Sequence, residues 1–201
     1  MLGTYGSHKL VAGVEFQDNY RLDQKNFDVD PVTVYLNEQK NSNRWALYAQ
    51  DEYTLTRDLL LSAGLRYDNY STVGGTLNPR LALIYNPRPE TALKLLYGTA
   101  FRAPNAYELY YVDGVTSKAD PNLKPEKITS YEFVVEHLLQ ANFRLTASLY
   151  RNEISNLINQ VIDPADDLLV FTNIGQVTSK GAELELERAW ADNTRLRASY
   201  A

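Results

Sequence analysis

The chain has 201 residues, of which 44% are hydrophobic and 22% charged, and its formal net charge is −5 at pH 7. This composition is ordinary for a folded protein, and the negative charge argues against a nucleic-acid partner. The absence of cysteine excludes disulfides, thiol catalysis and thiolate metal ligands. The sequence has no run of 18 apolar residues, so no transmembrane helix is predicted. The residues that start at Met1 do not resemble an export signal.

Apolar and polar residues alternate with period two in nine segments, whereas no helical periodicity is sustained. This alternation predicts strands with one apolar and one polar face. In chain order we predict strands at about 8–17, 44–55, 59–68, 78–85, 92–102, 129–139, 143–152 and 177–187, and a ninth from about 195. Asp51 is an exception that the pattern does not explain, because it falls on the apolar face of the second strand.

The predicted connections differ in length between the two ends of the strands. Those at one end are short, at about 56–58, 86–90, 140–142 and 191–193. Those at the other end are longer, at about 18–43, 70–77, 103–127 and 153–176, and we expect some strand pairing to continue there. Aromatic residues lie near both ends. The strands of a soluble sandwich would also alternate, but its short and long loops need not lie at opposite ends of the strands. Short turns, long loops and two aromatic girdles are typical of an outer-membrane barrel.

The long loop after the fifth strand carries the most specific sequence. Pro104 ends strand pairing after Arg102, and a short helical turn is expected there. Pro121 and Pro125 favour an extended chain before the sixth strand. The run FRAPNAYELY at 101–110, followed by DPNLKPEK at 120–127, resembles the barrel signature of TonB-dependent outer-membrane receptors. YAQDEY at 48–53 and GLRYD at 64–68 extend this resemblance loosely over most of the chain.

The resemblance implies an all-β fold, an antiparallel transmembrane β-barrel wall. Nine strands cannot form a finished bacterial single-chain barrel, because such a barrel closes with an even number of strands. We therefore expect residues 1–201 to be one partial barrel domain. They would form about nine strands of a barrel with about 22 strands. The resemblance places the plug domain, the TonB-contacting segment and the remaining strands outside this chain.

The function that the resemblance implies is active uptake of a scarce, bulky nutrient across the outer membrane of a Gram-negative cell. A ferric siderophore is the expected ligand, and TonB would supply the energy through the plug region. The implied partners are outer-membrane lipid, the ligand and the TonB complex. Two alternatives stay open: a passive porin-like channel, and a TonB-dependent receptor for cobalamin or a carbohydrate.

The candidate ligand-binding residues lie on the long loop: Arg102, Tyr107, Tyr110 and Tyr111. Tyrosine rings with an arginine suit ligands that are both aromatic and anionic, as catecholate iron complexes are. The alternative is that these tyrosines only pack the loop against its neighbours.

A second group of residues is predicted to be structural. We expect Lys94 to lie opposite Glu136, and Glu136 to lie near Arg144, on the polar face of the fifth to seventh strands. At the base of the loop, Arg102 should meet Glu126 with nitrogen and oxygen within about 4 Å.

Catalytic, metal and cofactor sites are not expected. His8 lies near one edge and His137 on the apolar face, so no serine–histidine pair is apparent on the polar face. Glu132 and Glu136 are four residues apart on a strand, about 13 Å, which is too far to share a metal ion. We therefore predict a protein that is not an enzyme and has no cofactor.

Overall fold

The structure is a computed structural model that describes residues 2–192 and 194–201. Met1 and Asn193, which enter the predictions for the chain start and the last short turn, lie outside the described residues. In the described part of the chain, no helix is long and apolar enough to cross a membrane.

The fold is one antiparallel sheet whose long strands follow each other in chain order. All nine predicted strands are present, and two short strands are added, at Leu2–Tyr5 and Ser117–Lys118. The described elements are β1 Leu2–Tyr5, β2 His8–Val29, β3 Val32–Thr54, β4 Leu59–Tyr70, β5 Gly74–Arg88, β6 Thr91–Arg102, α1 Ala106–Tyr110, β7 Ser117–Lys118, β8 Glu126–Gln140, β9 Phe143–Ile162, β10 Leu169–Ala189 and β11 Arg195–Tyr200. The sheet order is β1-β2-β3-β4-β5-β6-β8-β9-β10-β11, and β7 pairs with β10 in parallel. Among the described strands the sheet stays open.

One face of the sheet is an exposed apolar surface. A row of directly paired residues crosses five strands, from Leu61 through Leu83, Leu95 and Phe133 to Leu149. Leu95 and Leu149 are 59% and 58% exposed. A soluble sandwich would bury such a face against a second sheet, so this surface is suited to lipid.

The opposite face carries charged residues that pair with one another, both across strands and within a strand. Arg66 donates to both Glu15 and Asp68, with closest nitrogen–oxygen distances of 2.8 Å. These contacts explain how the Asp68 carboxylate is tolerated although the residue is only 2% exposed. The sheet therefore has the two unlike faces that the alternation predicts.

Two of the predicted long connections are mostly strand, which corrects the loop assignments at 18–43 and 153–176. β2 and β3 remain paired as far as Val29 and Val32, with a bulge between Asn19 and Leu22. The β9–β10 hairpin likewise extends to the pair Ile162–Leu169. The predicted 70–77 connection shortens to residues 71–73. Regular alternation fades in the extended hairpins although backbone pairing continues, so the sequence pattern did not reveal them.

The predicted partners of Glu136 lie on the correct face but in a shifted register. Lys94 is directly opposite Val134, and Glu136 is opposite Ala92, so direct opposition of Lys94 and Glu136 is wrong. The side chains nevertheless form a diagonal ion pair with a nitrogen–oxygen distance of 2.5 Å. Arg144, opposite Leu138, is also diagonal to Glu136, but the described side chains form no ion pair there. Register depends on the long loop and on an irregularity near Leu138, which cannot be counted from sequence.

The exception at Asp51 has a structural explanation. His8 lies on the same apolar face, and its Nδ1 is 2.7 Å from Oδ2 of Asp51. The His8 ring also stacks on Tyr53, with centroids 4.3 Å apart. The carboxylate on the apolar face is therefore paired with an imidazole near the short-turn end of the sheet.

Candidate ligand-binding site

The long loop begins with a short helix whose start is specified locally. Asn105 caps α1 by accepting a hydrogen bond from the backbone N–H of Glu108 at 2.9 Å. The Glu108 carboxylate accepts the backbone N–H of Asn105 at 2.8 Å, which completes a capping box. Leu109, only 2% exposed, then turns into a small buried cluster with Leu123 and Ile158. The loop therefore has its own core, which holds it against the β9–β10 hairpin.

Arg102 ties this helix to the base of the loop. Its Nε donates to Glu126 at 2.6 Å, and its Nη1 donates to Glu108 at 2.9 Å. The predicted contact between Arg102 and Glu126 is thus confirmed, and the two residues are direct partners across β6 and β8. Sequence reasoning missed Glu108, although its capping-box spacing from Asn105 was a usable signal. Two carboxylates already balance the charge of Arg102.

The three loop tyrosines all contact neighbouring side chains. The rings of Tyr107 and Tyr111 are 4.4 Å apart, and Tyr107 meets Phe171 edge-on at 5.7 Å. The Tyr111 hydroxyl accepts a hydrogen bond from Asn26 at 3.1 Å. These contacts show that Tyr107 and Tyr111 help to pack the loop, as the alternative interpretation expects.

Tyr110 combines packing with access to a cavity. It packs against the buried cluster, and the Lys40 ammonium lies 4.9 Å from its ring centroid. A cavity of about 480 Å³, here called the mouth cavity, lies beside it. Its lining comes from β2, β3, the β4–β5 turn region, β6 and α1, and is formed by Asn19, Leu22, Asn41, Ser42, Asn43, Arg44, Tyr70, Thr72, Phe101, Arg102, Ala103, Pro104, Asn105, Ala106, Leu109 and Tyr110. Of the four predicted ligand-binding residues, Arg102 and Tyr110 line this cavity, whereas Tyr107 and Tyr111 do not.

Arg44 is the cationic residue of the mouth cavity whose hydrogen-bond partners are neutral. Its Nε donates to the Gln17 side chain at 2.8 Å, and its Nη1 donates to the Tyr70 hydroxyl at 3.2 Å. Within the described residues, no carboxylate forms an ion pair with it. Tyr70 also meets Phe101 edge-on at 5.6 Å. Sequence reasoning missed Arg44 and Tyr70, because they come together only through the pairing of β3 with β4.

The far part of the loop is held by acidic residues that have specific partners. Hydrogen bonds from the Thr116 hydroxyl and from the backbone amides of residues 115–117 lower the pKa of Asp113 well below its ordinary value. Lys118 donates to Asp163 at 2.5 Å and to Asp166 at 2.8 Å, and this contact lowers the pKa of Asp163. These carboxylates are therefore occupied as structural acceptors. No group of three or more metal-ligating side chains was found among the described residues.

An exposed apolar face, a polar face with paired charges and an elaborated loop end together define the wall of an outer-membrane β-barrel. Residues 2–201 match the family described as TonB dependent receptor-like, beta-barrel. The chain belongs to this family, whose members are transport receptors rather than enzymes. One relative is named an outer membrane protein, and the expected location in the outer membrane is confirmed.

Two curated relatives come from Vibrio cholerae. The iron-regulated outer membrane virulence protein is 24% identical over 100% of this chain and 32% of its own length. The vitamin B12 transporter BtuB is 30% identical over 90% of this chain and 26% of its own length. The chain thus spans about a third or less of these relatives.

Among solved structures, the chain is similar to a mutant ferric enterobactin receptor, PfeA, from Pseudomonas aeruginosa, determined in complex with enterobactin. The TM-score is 0.80 at 20% identity, and the match covers 98% of this chain and 33% of that chain. This likeness supports the barrel fold.

Proposed function

We propose that this chain forms part of a receptor that actively imports a ferric siderophore across the outer membrane. TonB supplies the energy in this proposal, and it acts through a plug region outside the chain. Support comes from the family, from the relative named as iron-regulated and from the siderophore receptor with the same barrel fold. The observation that carries the proposal is the mouth cavity at the elaborated end of the sheet.

The chemistry of the mouth cavity suits an anionic aromatic ligand. Arg44 has neutral hydrogen-bond partners, so an incoming anion can balance its charge. Tyr70, Phe101 and Tyr110 supply aromatic surface in the same lining. A ferric catecholate siderophore combines both properties. Arg102 contributes to the lining, but its main role in this proposal is to hold the loop, because Glu108 and Glu126 already neutralise it.

Replacing Arg44 tests the proposal in the complete receptor. We expect Arg44→Gln to weaken binding of a ferric catecholate siderophore by about tenfold or more, the usual effect of losing a charge-assisted contact. Arg21→Gln is the matched control, because Arg21 lies on the same hairpin, pairs with Asp23 and does not line the cavity. Binding and uptake of labelled ligand are measured with and without TonB, alongside the amount of receptor in the outer membrane.

The outcomes separate the alternatives. Equal binding by wild type and Arg44→Gln would contradict the proposed site, and uptake that is independent of TonB would indicate a passive channel. Cobalamin is the second candidate ligand, favoured by the 30% identity with a vitamin B12 transporter. If the receptor takes up cobalamin but no ferric siderophore, cobalamin is the ligand. Carbohydrate uptake is tested in the same assay.

The loop tyrosines are compared in the same receptor. Tyr110→Ala should reduce siderophore binding, because Tyr110 lines the mouth cavity. We propose that Tyr107 and Tyr111 extend the ligand surface above it. Normal binding after Tyr107→Ala and Tyr111→Ala, with normal insertion, would assign these two rings to packing alone.

A further inference from the structure

Arg188 is a cation on the apolar face of the sheet. It lies near the end of β10, on the same face as Leu184 and Leu186, and is directly opposite Phe143 of β9. The adjoining turn leads to β11, so this is the short-turn end of the wall. A charged residue on a lipid-facing surface is tolerated near an interface but is costly at the membrane centre.

The surroundings of Arg188 are aromatic rather than acidic. Its guanidinium carbon lies 4.9 Å from the ring centroid of Trp190 and 6.0 Å from that of Phe143. Its Nε is buried and has no hydrogen-bond partner. None of the described carboxylates forms an ion pair with Arg188: Asp192 in the adjoining turn accepts the backbone N–H of Thr194, and Glu187 points to the opposite face.

We propose that Arg188, Trp190 and Phe143 form a binding site for the phosphate headgroup of a phospholipid in the leaflet at the short-turn end. No described carboxylate balances the Arg188 guanidinium, so its positive charge matches the charge of a phosphate. Trp190 lies at the short-turn end, where its amphipathic ring favours the membrane interface. Leu186 lies two residues before Arg188 on the same face of β10, and it contacts the acyl chain in this proposal. A phospholipid matches both the positive charge of Arg188 and the apolar face beside it, whereas a free anion matches only the charge.

The site can be tested by titrating the complete, detergent-purified receptor with phosphatidylglycerol and counting bound lipid by native mass spectrometry. We expect Arg188→Gln to weaken lipid binding by about tenfold, as for other charge-assisted hydrogen bonds. Arg195→Gln is the matched control. Arg195 lies at the same end, opposite Ala189 and therefore on the polar face, so its replacement should leave lipid affinity unchanged.

Each remaining result decides for or against the site. Unchanged affinity in Arg188→Gln, or an equal loss in Arg195→Gln, would overturn the proposal. Displacement of the lipid by a large excess of inorganic phosphate would also overturn it by indicating a simple anion site. Arg188→Leu is a second neutral variant. The receptor should still fold and insert with this change, because leucine is an apolar side chain on the apolar face. Its lipid affinity must fall as well, with normal heat-modifiable migration as the measure of folding.

Discussion

At the scale of single residues, tyrosines on the polar face cover glycines on neighbouring strands. Tyr48 lies directly opposite Gly13, and Tyr150 lies directly opposite Gly181. A Cβ atom added to Gly13 would lie 2.3 Å from the Tyr48 hydroxyl and 2.4 Å from its ring carbon Cζ. Glycine at this position therefore permits the close approach of the ring, which replaces the packing that the glycine lacks.

Gly13→Ala should destabilise the receptor, because the Tyr48 ring must move to admit the methyl group. We expect a loss of about 1–3 kcal/mol in the free energy of unfolding, as for other overpacked sites. Urea unfolding of the receptor in detergent, followed by tyrosine and tryptophan fluorescence, measures the loss.

Gly64→Ala is the control for this change. Gly64 also lies on the polar face, but an added Cβ would meet its nearest neighbour at 3.5 Å, an ordinary contact. Combining Gly13→Ala with Tyr48→Ala removes the clash, so the two changes should be less harmful together than their sum. Additive losses would contradict the close-packing explanation.

At the scale of elements, the long loop is an ordered unit attached both at its base and in its far part. Arg102 joins the end of β6 to α1 and to the start of β8. Lys118 joins β7 to the turn between β9 and β10 through Asp163 and Asp166. The buried cluster of Leu109, Leu123 and Ile158 adds an apolar contact between the loop and β9. A loop held in this way can present a defined surface to a ligand with little ordering cost.

Arg102→Gln should loosen the loop without preventing barrel insertion. The change removes both ion pairs and leaves Glu108 and Glu126 close together without a cation. Losing a charge-assisted contact of this kind makes local opening about tenfold or more frequent, so we expect trypsin to cleave after Lys118 at least about tenfold faster. Limited proteolysis of the outer-membrane receptor measures this rate.

Arg151→Gln serves as the comparison for the loop. Arg151 is 60% exposed at its side chain and pairs with Glu153 on its own strand, away from the loop base. Loop cleavage should therefore stay at the wild-type rate in this variant. If Arg102→Gln were also cleaved at the wild-type rate, the loop would not depend on the Arg102 ion pairs.

At the scale of the whole molecule, the two faces of the sheet meet different surroundings. Leu95 and Leu96 are neighbours in β6, yet Leu95 belongs to the apolar row, whereas Leu96 is directly opposite Glu132 on the polar face. The lipid side and the lumen side of the wall are therefore distinguished by a one-residue step.

An arginine at these two positions should have opposite consequences. Leu95→Arg places a charge near the middle of a membrane-spanning strand and should cost about 2–4 kcal/mol. Leu96→Arg places the same side chain beside Glu132, where an ion pair can form. The amount of heat-modifiable receptor in purified outer membranes measures assembly. Equal assembly of both variants would show that the apolar face does not contact lipid.

The sequence was sufficient to predict the faces, because side-chain direction in a strand follows from local geometry with period two. The alternation through Leu59, Leu61, Ala63 and Leu65 therefore identified a membrane-suited wall. The Arg102–Glu126 contact was also predictable, since each residue lies where a strand borders the loop. The motif around Pro104 and Tyr107 indicated the family, which the comparison confirmed.

Tertiary structure alone decided which residues meet across strands. Lys94 lies opposite Val134 rather than Glu136, His8 pairs with Asp51, and Arg44 joins Tyr70 at the mouth cavity. These contacts depend on register, on bulges and on a loop of more than twenty residues, none of which leaves a periodic signal in the chain. The physical reason is that pairing between strands is non-local, whereas the alternation that reveals a strand is local.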